Sequence, residues 1–197
     1  MHIRLLAVLV AVLASMPAAA QPAQTYRSDA GYTLQLPEDW RRLTEDELSA
    51  VQRNGSGMGA GMTFEAAFDL SNAPFPAPPL VAVARMELGR EVTPEEFEAE
   101  FTRPDIQEEV QAGMNSAGAV RHRARANVPE WDDASGAAWV HIALKSDGAS
   151  PEWALAGFTL APSGRAMVAV MYFGAPHSDP ARARAALEAV VRSMRPA

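Results

Sequence analysis

The sequence predicts an α+β fold, a mostly antiparallel twisted β-sheet with helices packed on it. Three observations predict it. Apolar and polar residues alternate at period two through several segments, the spacing of half-buried strands. Strong helix-start signals occur at Thr44, Thr93 and Asp179, each followed by residues at helical spacing. Three consecutive apolar runs in the C-terminal half are separated only by tight-turn residues, which marks a strand meander. Strands and helices therefore come in separate runs rather than in strict alternation.

The elements follow in chain order. Residues 25–28 and 32–36 read as two strands around the turn Asp29-Ala30-Gly31. Tyr32, Leu34 and Leu36 alternate with Thr33 and Gln35, Pro37 ends the run, and Trp40 follows on a short turn. Thr44 and Glu47 have capping-box spacing for a helix from Glu45 to about Arg53, with Leu48 and Val51 on its inner face. A glycine-rich loop leads to a strand over 62–70 with one wet face. Met62, Phe64, Ala66, Phe68 and Leu70 are expected inward; Thr63, Glu65 and Asp69 are expected outward.

A proline-rich connection over 71–79 reaches the next strand, 80–88. Thr93-Pro94-Glu95-Glu96 starts a helix carrying Phe97 and Phe101 inward, and Pro104 restarts a second helical stretch to about Met114. A strand over 119–128 precedes the meander, 136–145, 152–160 and 165–173, with turns at Ser146-Asp147-Gly148 and Pro162-Ser163-Gly164. Val140, Ile142 and Leu144 fall on one side and Trp139 on the other, so these strands belong mid-sheet with both faces covered. The last helix runs from Asp179-Pro180 to about Met194. Ala183, Leu187, Val190, Val191 and Met194 form its apolar stripe, and Arg182, Arg184, Glu188 and Arg192 are expected to face water.

The first residues bear on compartment. Arg4 stands before an unbroken apolar run from Leu5 to Leu13, and Pro17 and Ala18-Ala19-Ala20 follow. That is a cleavable signal peptide, residues 1–20, cut between Ala20 and Gln21. The apolar run is too short to span a bilayer. The expectation is an exported protein, periplasmic or secreted, with one domain over 21–197 and no stable membrane insertion after cleavage.

The chain has no cysteine, which removes disulfides, thiol chemistry, zinc–thiolate sites and a lipid-modified cysteine. Its net charge is −7, and one unit more negative without the leader, which carries Arg4 and no acid. An acidic balance argues against nucleic acid and against anionic membrane surfaces as partners.

The opening Tyr26, Ser28, Gly31-Tyr32, Leu34, Leu36-Pro37 and Trp40, with the closing meander and a helix ending on Val191, Ser193 and Arg195, resembles PsbP-like domains. The resemblance implies an α/β sandwich that serves in binding or assembly, and it carries over no catalytic motif. Fold likeness alone does not assign function.

Candidate sites are few. Gly55-Ser56-Gly57-Met58-Gly59-Ala60 matches a nucleotide-loop pattern, but a helix precedes it and a strand follows, the reverse of what binds a pyrophosphate. Arg121, Arg123 and Arg125 share one face of a strand and could grip a phosphate, carboxylate or acidic partner. The plainer reading is a solvated face balanced by Glu130, Asp132 and Asp133, or by Glu108 and Glu109, that guards an edge strand. His122, His141 and His177 lack metal-ligand spacing, and Met167 and Met171 suit a core better than copper. Trp131, in a loop after Pro129, is a candidate partner contact. No catalytic residues, cofactor or metal are assigned. The sequence thus reads as an exported binding or assembly accessory protein without catalysis of its own, whose partner would be an envelope protein. The alternative is an enzyme or small-anion binder with a site gathered around Arg121, Arg123 and Arg125.

Overall fold

The computed structural model describes residues 23–55, 61–70, 79–116, 123–145, 153–175 and 177–197. The proposed leader and its cut, Arg121, His122 and the turn at 146–148 lie outside the described residues.

Two antiparallel sheets form. The small one joins both chain ends in the order β1 (Ala23–Arg27), β2 (Tyr32–Pro37) and β11 (Arg195–Pro196). The large one begins with β3 (Arg41–Arg42), β4 (Thr63–Asp69) and β5 (Leu80–Glu87). It continues through β10 (Ala166–Gly174), β9 (Trp153–Leu160), β8 (Ala137–Lys145) and β6 (Arg123–Ala126). A short strand, β7 (Glu130–Asp132), also pairs with β8. The meander of β8, β9 and β10 forms as predicted, and its second turn falls at Pro162-Ser163-Gly164.

Layering follows from side-chain parity. Val81 and Val83 of β5 enter one core with Val168 and Val170 of β10, while Ala82 and Ala84 enter another with Ala169 and Met171. The first core lies between the large sheet and a cover made of the small sheet and α4 (Pro180–Arg192). Leu34, Leu36, Leu187 and Val190 fill it, none more than 1% exposed. Each such burial is worth about 1.5–3 kcal/mol before entropy is counted. The opposite face is covered by α1 (Glu45–Gly55), α2 (Pro94–Phe101) and α3 (Ile106–Ser116). Leu48 and Val51, Phe97 and Phe101, and Ile106 and Val110 are their inward residues.

The helix starts are the predicted ones. The Thr93 side chain accepts from the Glu96 backbone while the Glu96 carboxylate accepts from the Thr93 N–H, and Thr44 with Glu47 makes the same exchange. Asp179 accepts from the Ala181 N–H at 2.9 Å, with Pro180 in the first turn. Each cap is worth about 1 kcal/mol.

Two expectations fail. Of the residues expected on the wet face of the strand over 62–70, only Thr63 is exposed. A register shift between Phe64 and Ala66 inserts Glu65 as a bulge. Phe64 and Ala67 therefore pack under the helices, while Ala66 and Phe68 enter the other core. Asp69 is buried and paired with Arg41 at 3.1 Å. Nor does Arg184 face water. Its guanidinium lies 4.1 Å above the Trp139 ring and pairs with Glu188 at 2.5 Å and Glu130 at 3.9 Å.

Candidate functional site

The bulge at Glu65 builds a polar cluster where the two sheets meet. Its carboxylate is nearly buried, with side-chain exposure of 9%. Ser28 Oγ donates to it at 2.9 Å, the Tyr32 hydroxyl makes a short bond, and the Tyr26 hydroxyl sits at 3.5 Å. Arg85 Nε lies 2.7 Å away, but its N–H is not aimed along that line. The contact is therefore electrostatic rather than a directed hydrogen bond. Arg85 also reaches Glu87, and Arg42 rests over the Tyr26 ring at 5.4 Å.

Burial, with the adjacent Glu65 carboxylate, pushes the Tyr26 hydroxyl up to about 12. The same two causes drive Tyr32 higher still. A carboxylate that accepts from Ser28 and Tyr32 and is paired electrostatically with Arg85 is engaged from both sheets, so this cluster fastens the small sheet to the large one. A buried carboxylate is tolerated there because it is paired and hydrogen-bonded.

A second polar group ties α4 to the β7–β8 hairpin. Arg192 lies 3.7 Å from Asp132 and 3.3 Å from Glu188. Ser135 donates to Asp132 at 2.5 Å, and Trp139 Nε1 donates to Ser135 at 3.3 Å. The Ser135 hydroxyl, with the Ala134 N–H and the nearby arginines, holds the Asp132 carboxyl below its usual range.

These pairings redraw the predicted arginine face. Glu130 and Asp132 serve Arg184 and Arg192 of α4, and Glu109 serves Arg103 at 2.5 Å. Arg125 is exposed and makes no ion pair among the described residues. Arg123 stands opposite Lys145 in register on the edge strand, and Arg121 lies outside the described residues. The outward backbone of β6 is partly covered, since the Ala126 N–H donates to Gln111 of α3 at 3.2 Å.

Trp131 is not in a loop. It sits on β7 opposite Ala138, half-buried, its ring 6.2 Å from Phe97, and its Nε1 donates to Asp133 at 2.8 Å. Periodicity could not reveal a strand three residues long. Met167 and Met171 are core residues, at 7% and 2% exposure. Among the described residues no group of His, Asp or Glu side chains is arranged to hold a metal ion. A shallow open depression on α3 is lined by Gln107, Glu108, Gln111 and Ala112 and brings none of the predicted residues together.

The feature that sequence reasoning missed lies at the far end of the large sheet. His141, Trp153 and Tyr172, on the neighbouring strands β8, β9 and β10, stack in a row. Ring centroids are 5.8 Å and 5.3 Å apart, with planes 14° and 22° from parallel. Two glycines make room for tryptophans on this face. A Cβ at Gly157 would come within 2.5 Å of the Trp139 ring, and one at Gly174 within 2.1 Å of the Trp153 ring. Each glycine is the direct cross-strand neighbour of its tryptophan, so the indole lies flat over bare backbone.

The chain can be compared with known proteins on this geometry. No family model matches it, and no curated protein does. Its structure superimposes on the solution structure of cyanobacterial PsbP (CyanoP) from Synechocystis sp. PCC 6803 with a TM-score of 0.58. The match covers 93% of this chain and 98% of that one, at 14% identity. The fold is PsbP-like. Within the PsbP-like frame, the Gly31-Tyr32 turn and the Trp40 corner read from the sequence frame the small sheet. Tyr32 is also the residue that bonds Glu65. At this identity the likeness speaks for the fold and for nothing finer.

Proposed function

We propose that this chain is an exported accessory protein that binds other components of a bacterial cell envelope and has no catalysis of its own. The observation that carries the reading is the state of Glu65. It is a nearly buried carboxylate at the junction of the two sheets, and its partners Ser28, Tyr32 and Arg85 use it as a fastener. The PsbP-like fold, which covers nearly the whole chain, supports the same reading. Export rests on Arg4, the run from Leu5 to Leu13 and Ala18-Ala19-Ala20. No helix among the described residues is long and apolar enough to cross a membrane.

The test is crosslinking of the tagged full-length protein in cells, followed by mass spectrometry of what it retains. One envelope protein enriched with the wild type and lost from an Arg121/Arg123/Arg125→Glu variant supports the reading and locates the surface. Background alone in both samples overturns it. Trp131→Ala in the same assay shows whether β7 contributes. N-terminal sequencing of the exported chain is expected to begin at Gln21.

A second reading is favoured by one observation, the exposed Arg125, which makes no ion pair among the described residues. On that reading Arg121, Arg123 and Arg125 hold a small anion. Calorimetric binding of inorganic phosphate that is abolished by the triple variant would establish it.

A further inference from the structure

The outer face of the small sheet collects positive charge in a chain that is acidic overall. Arg27 of β1 and Arg195 of β11 both stand opposite Thr33 of β2. One cross-strand row thus carries an arginine at each end and a hydroxyl between them. Neighbouring strands lie about 4.8 Å apart, which sets the two arginine backbones about 10 Å apart. The inward side chains of this sheet, Tyr26, Tyr32, Leu34 and Leu36, are buried. By alternation the outward ones are Thr25, Arg27, Thr33, Gln35 and Arg195, and none is acidic. Arg42, over the Tyr26 ring at 5.4 Å, brings a third cation to β1.

Charge is segregated by layer. Exposed acids crowd the opposite outer layer, with Glu95, Glu96, Glu98 and Glu100 on α2 and Glu108 and Glu109 on α3. Among the described residues Arg27, Arg42 and Arg195 make no ion pair, whereas Arg184 and Arg192 of the adjacent α4 do. Outside the described residues the sequence holds only two acids, Asp147 and Glu152, both between β8 and β9 of the large sheet. A guanidinium presents its donors as a fork that fits a carboxylate. Arg195 is already anchored, because its Nη1 donates to the Arg192 and Met194 carbonyls at 2.8 Å and 2.6 Å. Those bonds draw it toward the end of α4, on the far side of β2 from Arg27. The row therefore suits two carboxylates of one chain better than a single small anion. An extended anionic surface would also meet Asp29, Glu38 and Asp39, which are exposed beyond the two ends of β2. A narrow acidic segment avoids them, and screening over about 8 Å confines the attraction to the row.

We infer that the Arg27–Thr33–Arg195 row is a docking face for an acidic segment of a partner protein. Each arginine takes one carboxylate, and Thr33 lies between them. This rests on the accessory-protein reading and adds to it a partner chemistry and a surface distinct from β6.

The probe is a decaglutamate peptide, titrated at low salt into the ¹⁵N-labelled full-length chain. Backbone amide resonances of Arg27, Thr33 and Arg195 are expected to move, while those of Phe97 and Phe101 on α2 stay in place. Arg27→Gln and Arg195→Gln are each expected to weaken the peptide about three-fold, and together about ten-fold, as for exposed ion pairs that act independently. Arg182→Gln removes an exposed arginine of α4 outside the row and is expected to leave the affinity unchanged. Three results would each overturn the assignment. One is no amide shift in the row at about 5 mM peptide, where even a millimolar site is mostly filled. Another is an equal loss in Arg182→Gln, which makes the binding a response to net charge alone. The last is binding to phosphatidylglycerol vesicles, lost in the double variant, with none to the peptide, which makes the row a lipid site. A failed titration beside a successful crosslink lost in the β6 arginine variant removes this face and leaves the accessory reading standing.

Discussion

At the Glu65 end of the large sheet, the buried aromatic hydroxyls meet a protein acceptor; at the Trp153 end, the buried aromatic donors meet none among the described residues. Tyr26 and Tyr32 both turn to one carboxylate. Trp153 and Tyr172 are buried to a similar degree, and among the described residues no group bonds their polar edges. The same residue types thus do opposite work. Where two sheets join, the low dielectric makes an unpaired polar atom costly, and the fold supplies a partner. At a sheet end that borders solvent, water or a ligand can supply it instead.

The sharpest way to break this contrast is to remove the acceptor at the closed end. Glu65→Ala leaves Arg85 and three hydroxyls without their common partner. Loss of about 3–5 kcal/mol is expected by urea denaturation, as for a buried pair broken on one side. A loss below about 1 kcal/mol would mean that the cluster is solvated and does not fasten the sheets.

Gly157→Ala and Gly174→Ala come next. Each drives a methyl into an indole, and about 1–3 kcal/mol of destabilisation is expected for each. Gly174→Ala should also change the tryptophan emission, because Trp153 must tilt out of its stack. Unchanged emission and stability would show that the indole does not lie over the glycine.

The paired variants Tyr32→Phe and Tyr172→Phe test the contrast directly. The first deletes a hydroxyl bonded to a buried carboxylate, at a cost of about 1–3 kcal/mol. The second deletes one that no described residue bonds, and its effect should stay within about 0.5 kcal/mol. Equal losses would erase the distinction between the two ends.

The smallest effect is the dependence on alkaline pH. Burial raises Tyr26 to about 12, and Tyr32 moves in the same direction. The fold therefore favours the neutral phenols. Their contribution is complete below the unfolded tyrosine value, near pH 10, and is lost as pH rises through about 12. Ultraviolet titration should show the phenolate of both residues appearing only there, together with loss of structure. Full ionisation of the tyrosines near pH 10 in the folded protein would count against the buried cluster.

Much of this architecture is legible in the residues. Thr93 with Glu96, Asp179 with Pro180 and the stripe of Ala183, Leu187, Val190 and Val191 mark elements and faces that the structure repeats. The bulge was not legible, because Phe64, Ala66 and Phe68 keep a perfect period on paper. One inserted residue changes which face each occupies without changing that pattern. The acids chosen to balance the β6 arginines were plausible by proximity in sequence, yet Glu130 and Asp132 are claimed by α4.

The sequence by itself determined the elements, their caps, the apolar faces and the α+β class. All of these depend on contacts between residues two to four positions apart. The tertiary structure alone decided who partners whom. Tyr32 finds Glu65 across 33 positions, and Ser193 reaches Gln35 across 158. It also decided that the Trp139 N–H meets Ser135, while no described residue bonds that of Trp153. Such choices depend on register, layer packing and access to water, which a local pattern of residue types does not encode.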